Sequence, residues 1–195
     1  ETVEEKLKEF GIEWKYPWEK EEFVKELNVW KTPYSSKSNK ELFIAKKKSC
    51  SLSHYSLWKK SVDENTPILI LEHDAEFIKK LDPMMLFSYQ ISIIGINDPI
   101  NATRKASTFK KMVQINPKFI QKVPRIDNNP QILQGLAGNS AYFITSSAAK
   151  EILKKVNLYG LWINDAFLTW QVFGKMIGVT KRFYTKVQGL KSTST

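Results

Sequence analysis

The chain contains one cysteine and lacks any long apolar run. Its single cysteine, Cys50, excludes an internal disulfide framework and a cysteine-based zinc site, and we interpret it as a small buried hydrophobe rather than a nucleophile. A membrane helix needs about 18 uninterrupted apolar residues, whereas the longest candidate, residues 67–71, is only as long as a strand. The charged N-terminus does not resemble a secretory signal. We therefore expect a cytoplasmic protein without a transmembrane segment, in a bacterial cell or in the host cell of a virus.

Acidic residues are scarce beyond the first quarter of the chain. Nine of the twenty Asp and Glu residues lie within residues 1–26, and from residue 27 onward 25 Lys and Arg residues face 11 acidic ones. Residues 99–126 hold seven basic residues and no acidic one, and no acid follows Asp165. Such a charge distribution favours a polyanionic partner, which could be nucleic acid, an anionic membrane surface or a phosphorylated glycan. A solvated lysine-rich surface is the alternative interpretation.

Apolar runs alternate with helical patterns along the chain. Continuous runs at residues 67–71, 91–96 and 141–145 are typical of strands that are covered on both faces. Helical patterns follow at residues 52–62, 146–156 and 164–173, and a polar, turn-rich stretch over residues 30–48 predicts a loop. The interleaving predicts a single α/β domain with a mostly parallel sheet flanked by helices.

Two carboxylates follow the first apolar run. Glu72 and Asp74 are two residues apart, at the point where the predicted strand ends. Ligands of open α/β sheets bind beyond the carboxyl ends of strands, and carboxylate oxygens suit Mg²⁺ or Mn²⁺, which can bridge a diphosphate. The pair therefore predicts a metal–diphosphate site, although acidic residues at strand ends also serve as turn formers or helix caps.

Longer motifs resemble those of glycosyltransferase family 25. The segments Ser49-Cys-Ser-Leu-Ser-His54 and Pro67-Ile-Leu-Ile-Leu-Glu-His-Asp74 resemble the family's Gly-Cys-x-x-Ser-His helix start and its apolar strand ending in Glu-Asp-Asp. Ser49 stands where the family has glycine, and His73 replaces the central aspartate. Residues 138–149, residues 162–165 and residues 187–193 resemble three later segments of the family in the same order.

The resemblance implies a GT-A-like, Rossmann-like fold over residues 1–195, whose first strand either lies before residue 1 or is replaced by a different N-terminal arrangement. It implies an inverting hexosyl- or pentosyltransferase whose donor is a nucleotide sugar, commonly UDP-linked. It also implies a divalent cofactor, Mn²⁺ or Mg²⁺, held by Glu72 and Asp74, with His73 either weakening this site or adding a nitrogen ligand. The residues expected to contact the donor are Ser53, His54, Glu72, Lys191 and Ser192.

An inverting transfer needs a general base that takes the proton of the attacking hydroxyl. We predict that Asp165 is this base, and the alternative is an N-cap residue that accepts hydrogen bonds from helix N–H groups. His54 is the second candidate catalytic residue and is expected to orient the donor or an acidic neighbour, unless it is a structural hydrogen bonder. For Lys191 and Ser192 the alternative is a frayed polar terminus.

The acceptor is predicted from charge. We expect hydroxymethylated bases in duplex DNA, because a transferase acting on them needs an acid-free basic surface that contacts phosphates. A lipooligosaccharide acceptor is the first alternative, a non-catalytic nucleic-acid-binding module is the second, and a phosphoryl-transfer enzyme or nuclease using Glu72 and Asp74 is the last. The residues predicted to contact nucleic acid are Arg104, Lys105, Lys110 and Lys111.

Overall fold

The computed structural model describes residues 2–15, 40–88, 90–103, 105–129 and 132–189, with no side-chain description for residues 40–43. Its α-helices are α1 (Val3–Glu9), α2 (Lys40–Asp63), α3 (Ala106–Ile115), α4 (Ser146–Tyr159), α5 (Asn164–Phe167) and α6 (Trp170–Phe173), and Pro83–Leu86 and Gly174–Met176 form 3₁₀ turns. Its strands are β1 (Ile68–Leu71), β2 (Ala75–Phe77), β3 (Ile93–Gly95), β4 (Ile120–Lys122), β5 (Ala141–Ile144), β6 (Ile177–Thr180) and β7 (Thr185–Val187).

The main sheet has five strands in the order β1-β5-β3-β6-β4, and β2 and β7 form a separate two-stranded ribbon. Only β3 and β6 pair in parallel, whereas β5 runs antiparallel to both β1 and β3, and β4 runs antiparallel to β6. The α/β class is confirmed, but the prediction of a mostly parallel sheet is wrong. A continuous apolar run reports that both faces of a strand are covered, and it does not report the direction of the strand.

Strand β5 shows how both faces are covered. Tyr142 and Ile144 point into the larger hydrophobic core, together with residues of α2 and α4. Ala141 and Phe143 point into a smaller core on the other face of the sheet. Because β5 lies between β1 and β3, the beginning of β5 meets the ends of both neighbours at one edge of the sheet. Polar residues that precede β5 and follow β1 are therefore brought together there.

Helix α4 flanks the sheet and packs against α2. The Thr145 side chain caps it by accepting a hydrogen bond from the N–H of Ala148 at 3.2 Å, and the helix ends at Gly160, whose φ of 89° suits glycine. This start agrees with the predicted one. Helix α2 begins at Lys40 instead of residue 52, so the predicted loop is wrong from residue 40 onward. Its first turns carry Lys, Glu, Leu and Ala, which are strong helix formers despite their polar neighbours.

The predicted helix over residues 164–173 is two short helices. The chain leaves helical geometry at Leu168, whose ψ is 69°. An antiparallel bridge then joins Gly135 to Thr169, and the N–H of Trp170 donates to the carbonyl of Gln134 at 2.7 Å. A side chain at residue 135 would collide with the carbonyl of Leu168. The close approach of the two segments therefore requires glycine at this position.

The helices in the described part of the chain are all too short or too polar to cross a bilayer.

We expect Ile152→Ala to lower the free energy of unfolding by about 2–5 kcal/mol, because it leaves a cavity in the larger core. Ile152 has no exposed surface. Leu158→Ala on the same helix is the matched control, since Leu158 is 63% exposed and the change should cost less than about 0.5 kcal/mol. Denaturant unfolding of both variants measures the difference. Equal effects of the two changes would contradict the placement of α4 over this core.

Candidate active site

A chain of hydrogen bonds crosses the larger core and ends at Glu72. Trp58 Nε1 donates to the hydroxyl of Tyr142 at 2.9 Å, and that hydroxyl lies 2.7 Å from His54 Nδ1. His54 Nε2 lies 3.0 Å from Glu72 Oε1. The imidazole also stacks on the Tyr142 ring, with the centroids 5.6 Å apart. Trp58, Tyr142 and His54 are buried, so they fix the geometry of one half-exposed carboxylate.

The donors of this chain assign the tautomer of His54. The Tyr142 hydroxyl accepts from Trp58 and has one proton to give, which it donates to Nδ1. Nε2 then carries the imidazole proton and donates to Glu72. In this arrangement Trp58, Tyr142 and His54 each donate to an acceptor, which is the condition for burying such groups at low cost.

Glu72 follows β1 directly and occupies the first position of a tight turn. Its N–H donates to the carbonyl of Ser140 at 2.8 Å, and its carbonyl accepts from the N–H of Ala75 at 3.0 Å. The hydrogen bond from His54 lowers the pKa of the Glu72 carboxyl below its ordinary value, against an opposing contribution from burial. Glu72 is therefore held as a carboxylate next to the beginning of β5.

Asp74 lies in the same turn, and the N–H of Gln188, directly after β7, donates to the Asp74 carbonyl at 2.9 Å. Its Oδ1 is buried and has no hydrogen-bond partner within the described ranges. A buried carboxylate oxygen without a hydrogen-bond partner lowers the stability of the fold unless a cation binds it. Asp74 and Glu72 both offer the oxygen ligands that Mg²⁺ and Mn²⁺ prefer, so their chemistry fits the predicted metal, and the metal site stays a prediction.

Asp165 lies in the first turn of α5, where Ile163 occupies the N-cap position. The alternative interpretation of Asp165 as an N-cap is therefore wrong. The side chain is exposed to solvent and lines a cavity, and desolvation by the surrounding protein raises the pKa of its carboxyl. Lys47 opposes this shift, and the charge of Glu72 adds to it. A raised pKa makes the carboxylate a stronger proton acceptor.

Cys50 lies one helical turn before His54 on α2. The prediction of a buried side chain is wrong, because Cys50 is exposed at the mouth of the site. Its Sγ lies 3.7 Å from Glu72 Oε1. Desolvation, followed by the charges of Glu72 and Asp165, raises the pKa of the thiol to about 12. The thiol is therefore protonated at neutral pH, in agreement with the prediction that it is not a nucleophile.

Two cavities meet at this point. The smaller has a volume of about 240 Å³ and contains Asp165, and the larger has a volume of about 610 Å³ and contains Ser53, His54 and His73. The side chains that line both cavities are Lys47, Cys50 and Glu72.

The smaller cavity contains two residues that sequence reasoning missed. Asn139 and Asn164 are 3% and 4% exposed, and their side-chain amides have no hydrogen-bond partner in the part of the chain that the structure describes. The backbone N–H of Asn139 donates to Asp165. The available signal was position, since Asn139 precedes a buried strand and Asn164 precedes the candidate base.

The family model of glycosyltransferase family 25, described as an LPS biosynthesis protein, matches residues 14–167. The chain belongs to glycosyltransferase family 25. Membership confirms the resemblance, and it implies glycosyltransferase activity with a nucleotide-sugar donor. No curated protein is similar enough to the chain to count as a match.

Within this family 25 transferase, the matched region contains His54, Glu72, Asp74 and Asp165. The structure brings His54 and Glu72 into contact and places Asp165 in an adjoining cavity. Ser53 lies at the larger cavity, and its hydroxyl donates to the Ser49 carbonyl at 2.9 Å. The other two predicted donor contacts, Lys191 and Ser192, lie outside the described residues.

The predicted nucleic-acid contacts of the transferase are only partly free of acidic neighbours. Lys105 Nζ lies 3.0 Å from a carboxylate oxygen of Asp127, and Lys110 Nζ lies 2.6 Å from one of Asp98. Lys111 is exposed on α3, and Arg104 lies outside the described residues. Two of the four predicted contacts thus have their charge compensated locally.

We expect Cys50 of the metal-free transferase to react with iodoacetamide at pH 8 on the order of 10²–10³-fold more slowly than an unstructured cysteine, because only the thiolate attacks. Glu72→Gln should speed the reaction, since it removes a charge that raises the pKa of the thiol. Mass spectrometry of timed samples containing EDTA measures both rates. Labelling of the folded wild type as fast as that of denatured protein would contradict the assigned environment.

Proposed function

We propose that the transferase moves a sugar from a UDP-linked donor to a hydroxyl of a saccharide acceptor of the lipopolysaccharide class. The reaction inverts the configuration at the anomeric carbon of the transferred sugar. The observation that carries this proposal is the position of Asp165. Its carboxyl has a raised pKa and shares one cavity with Glu72 and two buried asparagines. Carboxylates and amides are the groups that recognise sugar hydroxyls, because both form directional hydrogen bonds.

The residues that line the two cavities suit different substrates. The larger cavity is lined by Lys46 and Ser53, and Lys47 lines both cavities. The two lysines and the hydroxyl suit the diphosphate of the donor. The smaller cavity contains Asp165 and the asparagines, which suit a neutral saccharide. The two meet at Glu72, so we place the anomeric carbon of the donor near this residue.

The reaction then follows from these positions. Asp165 accepts the proton of the acceptor hydroxyl while the oxygen attacks the anomeric carbon from the face opposite the diphosphate. The bond between that carbon and the phosphate oxygen breaks, and the nucleoside diphosphate leaves. His54 does not touch the substrate in this scheme. It holds the Glu72 carboxylate in position through its Nε2 proton.

The predicted Mg²⁺ or Mn²⁺ would be held by Glu72 and by the buried, unpartnered oxygen of Asp74. When bound, it supplies positive charge that neutralises the departing diphosphate.

The DNA acceptor predicted from charge has less support than a saccharide. Lys105 and Lys110 are paired with acidic residues, which weakens the acid-free surface on which that prediction depended. The family description points instead to LPS biosynthesis.

We expect Asp165→Asn to reduce transfer by about 10²–10⁴-fold, the usual contribution of a general base, while donor affinity stays within a few-fold of wild type. The assay incubates the transferase with a panel of nucleotide sugars and either lipopolysaccharide-type oligosaccharides or hydroxymethylated duplex DNA, and mass spectrometry detects the product. Asp63→Asn, an exposed change at the end of α2, is the matched control and should retain activity.

Modification of DNA but not of saccharide would replace the proposed acceptor. A parallel collapse of donor affinity and rate in Asp165→Asn would move Asp165 from the base to the donor site.

We expect Asp74→Asn to lower turnover by several orders of magnitude and to raise the Mn²⁺ concentration needed for half-maximal rate. The same change should leave the free energy of unfolding equal or higher, because a neutral amide replaces a buried oxygen without a partner. Metal-dependent rates and denaturant unfolding measure the two effects. Full activity at wild-type Mn²⁺ concentrations would rule out the metal role.

A further inference from the structure

Three potential metal ligands meet where the two cavities join. Cys50 and His54 are four residues apart on α2, so they lie on one face of the helix, and Glu72 at the end of β1 faces both. Sγ, Nε2 and a carboxylate oxygen lie within 4.8 Å of one another. The single cysteine excludes sites built from several cysteines, but it does not exclude this mixed set.

The distances suit one small ion. With zinc–sulfur and zinc–nitrogen bonds of about 2.3 and 2.0–2.1 Å, a tetrahedral site places its ligand atoms roughly 3.3–3.6 Å apart. Here Oε1 of Glu72 lies 3.0 Å from Nε2 of His54 and 3.7 Å from Sγ of Cys50. Small side-chain adjustments bring these atoms to ligand spacing, and Cys50 and Glu72 are exposed enough to make them.

The surroundings of His54 match those of a metal-binding histidine. Such a residue binds through one ring nitrogen, and a hydrogen bond to the other nitrogen fixes its orientation. Nδ1 is held by the fully buried hydroxyl of Tyr142, which Trp58 holds in turn. Nε2 therefore faces Glu72, and an ion that binds there replaces the Nε2 proton, so that the imidazole proton lies on Nδ1 and is donated to the Tyr142 hydroxyl.

The local charge also favours a cation. Glu72 and Asp165 carry negative charge next to the thiol, and Lys47 is the cation that opposes them. A divalent ion that binds the thiol displaces its proton, and the two carboxylates favour the added positive charge.

We propose that Cys50, His54 and Glu72 bind one thiophilic divalent ion, of which Zn²⁺ is the best match. The ligand set separates this site from the oxygen site of Glu72 and Asp74, because sulfur and imidazole select Zn²⁺ over Mg²⁺ and Mn²⁺. Three protein ligands leave the fourth position open towards the cavities. A consequence, which rests on the proposed function, is that Zn²⁺ takes Glu72 away from the donor site and inhibits transfer.

Co²⁺ is the spectroscopic probe for this site, since a thiolate–Co²⁺ bond absorbs in the near ultraviolet. Titration of reduced, metal-free protein with Co²⁺ should produce this absorption with one ion per chain, and added Zn²⁺ should abolish it. Cys50→Ala should lack the absorption. Its Zn²⁺ affinity should fall by more than about 10–100-fold, which is the usual loss when a residue that only orients a metal ligand is removed. His73→Ala removes the other histidine of the chain and should leave the spectrum unchanged.

The proposal would be overturned if wild type lacked the absorption or if Cys50→Ala retained it. It would also be overturned if His73→Ala lost the absorption or if one ion bound per two chains. These readouts need no substrate, so a failure of the proposed function leaves them interpretable. In the transfer assay, Zn²⁺ should inhibit wild type at concentrations that leave Cys50→Ala at its own uninhibited rate. Equal fractional inhibition of both would overturn the inhibitory consequence.

Discussion

The hydroxyl of Tyr142 is the point on which the arrangement of the site depends. It hydrogen-bonds to both Trp58 and His54 in the larger core, and the orientation of His54 affects where Glu72 can lie. A hydrogen bond inside a core is costly to leave unmade, so these contacts favour one arrangement of the tyrosine, the histidine and the carboxylate. The position of the Glu72 carboxylate therefore depends on Tyr142, whose side chain is fully buried.

Strand β5 brings the residues of the site together because it lies between β1 and β3 and runs in the opposite direction to both. Its first residues arrive where β1 ends, which sets the Glu72 backbone against Ser140. In a sheet with only parallel strands, the residues before β5 would lie at the opposite edge. The antiparallel insertion thus assembles one site from chain segments that are about seventy residues apart.

Sequence reasoning predicted the α/β class and the three strands, because apolar runs leave a local pattern. The expected burial is found for the second and third runs, whereas Leu71 at the end of β1 is exposed. His54 and Asp165 were identified from the family resemblance, and their roles stay predictions. The directions of the strands were not predictable in this way, since an apolar run of four residues is the same in either direction. Asn139 and Asn164 were missed because a buried amide leaves no periodic signal. The exposure of Cys50 was missed because the turns of α2 that precede it were interpreted as a loop.

The bridge between Gly135 and Thr169 has a consequence for how this site can vary. It clamps the segment that leads to Asn139 onto the segment that follows Asp165, although Gly135 itself belongs to neither pocket wall. Any larger residue at 135 would push these two segments apart at the Leu168 carbonyl. The Cβ that glycine lacks at residue 135 therefore affects the spacing of the two segments that contribute Asn139 and Asp165 to the smaller cavity. A substitution at this position can alter the cavity while the residues that line it stay the same.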